Sequence, residues 1–231
     1  MIEAIILAGG FGTRVSEISN GLPKPLLEIA GKPILEHQIQ FLRRNGIQNI
    51  RLGLHYKADQ IIAFCEKRWP GEIRFFVEPK PLGTGGAVKF ASSDLEHPFL
   101  VINGDIICDI DVARLISKSP NIVACAHQDK TQDYGLLRLE EGKIVEFLEK
   151  PKEPTAGFIN AGWYLLEPNI FRSRLQDHFM VEKEIFPALA DQGELHAYQH
   201  NGYWIDVGVP ERYYQALEDA KSHPARARFL A

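Results

Sequence analysis

The stretch Leu7-Ala8-Gly9-Gly10-Phe11-Gly12-Thr13-Arg14 directly follows the apolar run Ile2 to Leu7, and Pro23-Lys24-Pro25 comes shortly after it. An apolar run that ends in glycines has the pattern of a buried parallel strand. Glycines placed there let the backbone approach a phosphate closely and point several N–H groups at it. Arg14 closes the loop with a fixed guanidinium suited to bidentate phosphate binding. Lys24 stands between two prolines, so its backbone is stiff and its ammonium is aimed. Two familiar phosphate loops are excluded. Gly12 is followed by Thr13-Arg14, whereas the GxxxxGK[ST] loop needs Lys and a hydroxyl residue there, and Val15 stands where GxGxxG needs its last glycine. A dinucleotide-dependent oxidoreductase is thereby weakened, and absence of NAD binding in a thermal-shift assay would remove it.

Outward from the loop, strand and helix signals alternate. Pro33 opens a helix with Ile34, Leu35, Ile39, Phe41 and Leu42 at helical spacing, and Gly46 closes it. Ile50 to His55 and Ile73 to Val77 read as strands, with a helix around Ile61, Ile62 and Cys65 between them. Gly83 to Ala91 reads as a helix and Phe99 to Ile102 as a strand. The later part predicts a hairpin of Tyr134 to Leu139 and Lys143 to Leu148, a strand over Phe158 to Leu166, and helices over Val181 to Ala190 and Glu211 to Ser222. Residues 224–231 read as a loose tail. The expected fold class is α/β: a Rossmann-like, open, mostly parallel sheet with helices on both faces and a small added β region. The expected organisation is one domain over 1–231, with a nucleotide-binding half at 1–110 and a sugar-binding half at 111–231.

Composition narrows the function. The 231 residues are 45% hydrophobic and 24% charged, as in an ordinary globular protein, and the net charge of −4 offers no basic field for nucleic acid. The N-terminal MIEAIILAGG lacks the basic flank and longer apolar core of a secretory signal, and no apolar stretch approaches a membrane span. Cys65, Cys108 and Cys125 are odd in number, show no CxxC spacing, and read as buried thiols of a reducing compartment. A cytoplasmic protein is expected.

The order LAGGFGTR, PKP, Asn103-Gly104-Asp105, Glu149-Lys150-Pro151, Asn160-Ala161-Gly162 and Trp204-Ile205-Asp206-Val207-Gly208-Val209-Pro210-Glu211 resembles the motif series of the sugar-1-phosphate nucleotidyltransferase superfamily. The resemblance covers nearly the whole chain. It implies transfer of a nucleotidyl group from a triphosphate to a sugar 1-phosphate, with Mg2+ as cofactor. By resemblance Asp105 and Asp206 are metal ligands, Arg14 and Lys24 act on the phosphates, and Leu7, Ala8, Gly9, Gly10, Gly12, Thr13, Glu78, Gly83 and Thr84 bind nucleotide. Gly104, Gly135, Glu149, Lys150 and Asn160 are implied on the sugar-phosphate side.

The residue types suit these tasks, beside plainer readings. Asp105 follows the strand FLVIN, at a sheet edge where open α/β folds bind ligands, and Mg2+ takes hard carboxylate oxygens. Either aspartate alone could equally make an Asx turn or a helix cap. Glu149 offers only acceptors to sugar hydroxyls, though Glu-Lys-Pro could also end a strand in solvent and Asn160 could shape a turn. Glu78 could accept the N1–H and N2 amino group of guanine together, whereas uracil and thymine would suit a glutamine; it could instead end a strand in solvent or meet the ribose.

Within the superfamily, Glu78-Pro79-Lys80-Pro81-Leu82-Gly83-Thr84-Gly85-Gly86-Ala87 and the Asp-Val-Gly-Val-Pro-Glu ending resemble guanylyltransferases acting on D-glycero-α-D-manno-heptose 1-phosphate for surface polysaccharides (capsule or lipopolysaccharide). Uridylyltransferases of N-acetylmuramate 1-phosphate and thymidylyltransferases of glucose 1-phosphate share the core motifs. GTP is the expected triphosphate, and no acetyltransferase extension is expected. Partners are then the two substrates and a second copy in a homodimer, with no nucleic acid or membrane. A non-catalytic sensor of nucleotide sugars should have lost an aspartate or the Arg/Lys pair, and this chain keeps both.

Overall fold

The computed structural model describes residues 2–131, 134–149 and 156–222. In chain order the strands are β1 (Ala4–Leu7), β2 (Glu28–Ile29), β3 (Lys32–Pro33), β4 (Ile50–Leu54), β5 (Ile73–Val77), β6 (Phe99–Asn103), β7 (Ile106–Cys108), β8 (Ile122–Gln128), β9 (Gly135–Glu140), β10 (Lys143–Glu149), β11 (Gly157–Leu166), β12 (His196–His200) and β13 (Trp204–Asp206). The helices are α1 (Ile34–Arg44), α2 (Ala58–Arg68), α3 (Gly83–Ala91), α4 (Val112–Ile116), α5 (Asn169–Arg172), α6 (Phe186–Asp191) and α7 (Pro210–Ser222). Two compact units emerge. The first takes 2–80, 102–112 and 202–222, the second 81–101 and 113–201. They differ from a division at residue 110, because 81–101 packs with the later strands and 202–222 returns to the first unit.

In the first unit, β1 pairs in parallel with β4 from Ala4↔Ile50 to Leu7↔Gly53, and β4 in parallel with β5. Ala4, Ile5, Ile6, Leu52 and Leu54 are completely buried, the mark of strands covered on both faces. The helix expected after Pro33 is α1. It carries Glu36 in its first turn and Arg43 and Arg44 in its last, matching the helix dipole, and Gly46 adopts φ +82 just past its end. A core of Val15, Leu27, Ile29, Ile34, Ile107, Ile205, Val207 and Ala216 draws on all three chain segments of this unit and locks them together.

The second unit is mixed. β11 runs antiparallel to β8 and β9, β10 antiparallel to β9, and β12 parallel to β8. The β9–β10 hairpin matches the expectation. Its turn places Glu141 at φ 49 and Gly142 at φ 82, the two positive φ values of a tight hairpin turn whose twist suits the strands. Two strands, β8 and β12, escape sequence reading. β12 is the polar run His-Ala-Tyr-Gln-His, held as a strand mainly by the β8 ladder from Ile122↔His196 to Ala126↔His200, with β10 on its other side at Lys143↔His196. The helix expected over 181–190 begins as a π turn, Val181–Ile185, before α6, where Pro187 has no N–H to continue a regular ladder. Cys65, Cys108 and Cys125 are buried free thiols, as expected, and burial pushes each up to about 12. No described helix is long and apolar enough to cross a membrane.

Candidate active site

The glycine loop leaves β1 at Leu7, with Ala8 N–H held by Gly53 O at 2.8 Å. Its three glycines serve different ends. A Cβ on Gly9 would lie 2.8 Å from the backbone N of His55, so only glycine fits there; Gly10 is exposed and faces open space; Gly12 adopts φ +61. Gly12 heads a single 3-10 turn, Thr13–Val15, which carries Thr13 and Arg14. Phe11, half-exposed at the loop tip, sets its ring against His55 and Tyr56. Lys24 starts a second 3-10 turn, Lys24–Leu26, between an extended Pro23 and a buried Pro25.

Asp105 occupies the turn between β6 and β7. Gly104 presses against β1: its N–H donates to Leu7 O at 3.0 Å, and a Cβ would lie 2.5 Å from that same oxygen. Asp206 reaches the same place from far along the chain, because β13 pairs antiparallel with β7 and sets Asp206 opposite Ile106. Val207 N–H closes the arrangement on Asp105 O at 2.9 Å. Lys24 Nζ donates to Asp105 Oδ2. A Cβ on Gly208 would lie 2.7 Å from Asp206 Oδ1, 3.2 Å from Asp105 Oδ2 and 3.4 Å from Arg14 Nη2. Arg14, Lys24, Asp105 and Asp206, spread over the sequence, therefore converge within the first unit.

The two carboxyls differ. Burial works to raise Asp105, but the Lys24 ammonium, its hydrogen bond and the charge of Arg14 outweigh it and hold the carboxyl below its ordinary value. For Asp206, burial and then repulsion from Asp105 push the carboxyl up, against Arg212, the Gly208 N–H and Lys24. Sequence reading missed three contributors. Arg212 donates from Nη2 to Asp206 Oδ2 at 2.9 Å and from Nε to Asp206 O at 2.8 Å. The Gly208 N–H donates to Asp206 Oδ1 at 2.6 Å. Gln38, on α1, donates to the carbonyls of Asn103 and Ile106. The Arg212 contact was foreshadowed only by its place on a helix starting just past Asp206; Gln38 carried no signal, lying 65 residues from its partner Asn103.

Among the other expected nucleotide residues, Glu78 is buried at the end of β5, its N–H on Leu54 O at 2.7 Å and its carbonyl accepting from His55 Nδ1 at 3.0 Å. Gly83 and Thr84 lie in the second unit at the start of α3, where packing dominates. A Cβ on Gly83 would lie 2.5 Å from Phe179 O, and the Gly85 N–H bonds that same carbonyl at 3.0 Å. Thr84 Oγ1 donates to Glu182 Oε2 at 2.6 Å and accepts from Val181 N–H at 3.0 Å. Also in the second unit, Gly135 and Glu149 pair across the hairpin, while Lys150 lies outside the described residues. Asn160 bridges a bulge in β11: its Oδ1 accepts from Gly162 N–H and its Nδ2 donates to Tyr164 OH, both at 2.9 Å.

The donor set suits Mg2+. Among the described residues no group of three or more metal-binding side chains occurs, and Mg2+ commonly takes one or two carboxylates with substrate phosphates completing its shell. The partly buried Asp105 and Asp206 oxygens beside Gly208 form such a two-carboxylate cradle, which one methyl group would obstruct.

Fold and site together define an α/β protein in which an arginine, a lysine and a pair of carboxylates gather beside a glycine loop. The chain belongs to the nucleotidyl transferase family, whose sequence model matches residues 3–223. It is 34% identical over 226 residues to a mannose-1-phosphate guanyltransferase of Emericella nidulans, covering 92% of this chain and 62% of that protein. It is 36% identical over 223 residues to a mannose-1-phosphate guanylyltransferase catalytic subunit beta of Drosophila pseudoobscura pseudoobscura, covering 91% and 60%. The chain thus spans about three fifths of the length of these curated relatives. The crystal structure of HddC from Yersinia pseudotuberculosis, complexed with GMP-PN, is similar with a TM-score of 0.83 and 36% identity, covering 95% of this chain and 100% of that one.

Proposed function

We propose that the protein transfers a nucleotidyl group from a nucleoside triphosphate, GTP foremost, to a sugar 1-phosphate. The observation that carries this reading is the meeting of Arg14, Asp105 and Asp206 beside Gly208, with Lys24 on Asp105. A phosphate oxygen of the sugar 1-phosphate forms the new bond to the α-phosphorus, the bond to the β-phosphate bridge breaks in line, and pyrophosphate leaves. The nucleophile is already anionic near neutral pH, so positioning and charge neutralisation do most of the work. Arg14 takes the charge of the leaving pyrophosphate. Lys24, at rest on Asp105, turns to the reacting phosphates, and Lys150 binds the sugar phosphate. Asp105 and Asp206 would hold Mg2+, which supplies positive charge to the phosphates when bound.

Guanine is favoured by Glu78, whose carboxylate can accept from N1–H and N2–H₂ together. The two guanylyl-transferring relatives and the GMP-PN bound to HddC support the same base. For the sugar, the motif resemblance favours D-glycero-α-D-manno-heptose 1-phosphate; Gly135, Glu149 and Asn160 serve this side. The names of the relatives favour mannose 1-phosphate as a second reading, which has the same manno configuration. The setting proposed is a cytoplasmic homodimer feeding surface polysaccharide synthesis. The test incubates the protein and Mg2+ with GTP, UTP, dTTP, ATP or CTP against a panel of sugar 1-phosphates and measures pyrophosphate. Release with GTP and a manno-configured sugar phosphate is expected, and Glu78→Gln should erode the preference over UTP about tenfold. No release with any pair overturns the reaction class; a wild-type preference for UTP or dTTP overturns the base assignment.

A further inference from the structure

We infer that Gln38 is a positioning residue for Asp105. The side chain sits on α1, nearly fully buried, and its single amide nitrogen donates to Asn103 O at 2.9 Å and to Ile106 O at 2.8 Å. Those two carbonyls bracket Gly104-Asp105. The remaining backbone of the turn is held by other means: Gly104 N–H by Leu7 O at 3.0 Å, and Asp105 O by Val207 N–H at 2.9 Å. Gln38 is the side chain that spans both ends of the turn and fixes its pitch, and with it the direction in which the Asp105 carboxylate leaves the backbone.

The arrangement carries a liability that packing does not require. Gln38 Oε1 is buried without a hydrogen-bond partner among the described residues, and turning the amide over would face that oxygen to two acceptors instead. An aliphatic side chain would fill the volume with no orphaned oxygen. A lysine or arginine could supply two donors but would bring a buried charge. A neutral double donor at this depth is therefore explained by the turn it holds.

This inference rests on the proposed metal role of Asp105, and it is tested by Mn2+ binding without substrates, followed by electron paramagnetic resonance, in wild type, Gln38→Met, Asp105→Ala and the double variant. Gln38→Met keeps the side-chain length and removes both donors. It should weaken Mn2+ binding at least fivefold and lower kcat, with the KM for both substrates within about twofold of wild type. In the Asp105→Ala background Gln38→Met should add nothing, because the residue it positions is gone. Wild-type Mn2+ affinity in a folded Gln38→Met, or fully additive effects in the double variant, would overturn the inference. If Gln38→Met does not fold, Gln38→His retains a donor at that position and should show an intermediate loss; unchanged affinity there overturns the inference equally. A wild type that binds no Mn2+ would instead overturn the metal assignment of the proposed function, and the clamp with it.

Discussion

Placing one methyl group at Gly208 should slow the chemistry while sparing the fold. Gly208 lies outside the left-handed region, so alanine meets no backbone strain there, and the N–H that holds Asp206 Oδ1 is retained. The new Cβ would sit 2.7 Å from Asp206 Oδ1 and 3.2 Å from Asp105 Oδ2, where ordinary contact begins at 3.4 Å. Asp206 must therefore retreat by about 0.7 Å, and Asp105 by about 0.2 Å, while Arg14 Nη2 at 3.4 Å can stay. A misplacement of this order in a reacting centre lowers the rate roughly tenfold to a hundredfold, about 1.4–2.8 kcal/mol of transition-state stabilisation. The assay is pyrophosphate release under saturating substrates beside a thermal melt. A Gly208→Ala protein with kcat within threefold of wild type would refute the claim that this point is where the reacting groups meet. A melt lowered by more than about 8 °C would refute the claim that the methyl disturbs only the site.

Asp105→Ala and Asp206→Ala should each abolish turnover with the circular dichroism spectrum preserved, since removing a metal ligand forfeits several kcal/mol at the phosphates; a near-wild-type rate in a folded variant would contradict the metal assignment. Arg14→Ala should lower kcat far more than it changes sugar-phosphate binding, whereas Lys150→Ala should mainly raise the KM for the sugar phosphate; equal effects on both substrates would remove the division of labour. The three thiols, each pushed up to about 12 by burial, should stay protonated and resist iodoacetamide at about pH 8 until the chain unfolds. Between the ordinary thiol value and 12 the unfolded chain loses these protons and the folded one keeps them, so stability should fall as pH rises through that window; rapid labelling of the native protein would show that the cysteines are not sealed.

What the sequence disclosed followed from local physics. Ile2 to Leu7, the glycine loop and the helix between Pro33 and Gly46 each announce themselves within a dozen residues, and each stands where expected. The convergence of Arg14, Lys24, Asp105 and Asp206 was legible through motif resemblance; spacing alone could not bring residues 14 and 206 together. Two kinds of feature stayed hidden. β8 and β12 lack a clear apolar alternation, and become strands through pairing with each other and with β11 and β10. Arg212 and Gln38 act through pairs of hydrogen bonds that leave no periodic trace. The glycines at 83, 85 and 86 add a packing role that spacing did not announce: they sit where Phe179 and Asp177 leave no room for a side chain.

The antiparallel pairing of β13 with β7 has a consequence for how the molecule comes into being on the ribosome. Asp105 is synthesised roughly a hundred residues before Asp206, which at typical elongation speeds separates them by about 5–20 s. During that interval the glycine loop, Lys24 and the first acid can already have assembled, while the strand that brings the second acid does not yet exist. A nascent or prematurely released chain thus carries Arg14, Lys24 and Asp105 without Asp206, an incomplete cluster. Completion of the cluster is coupled to the last long-range strand pairing of the first unit.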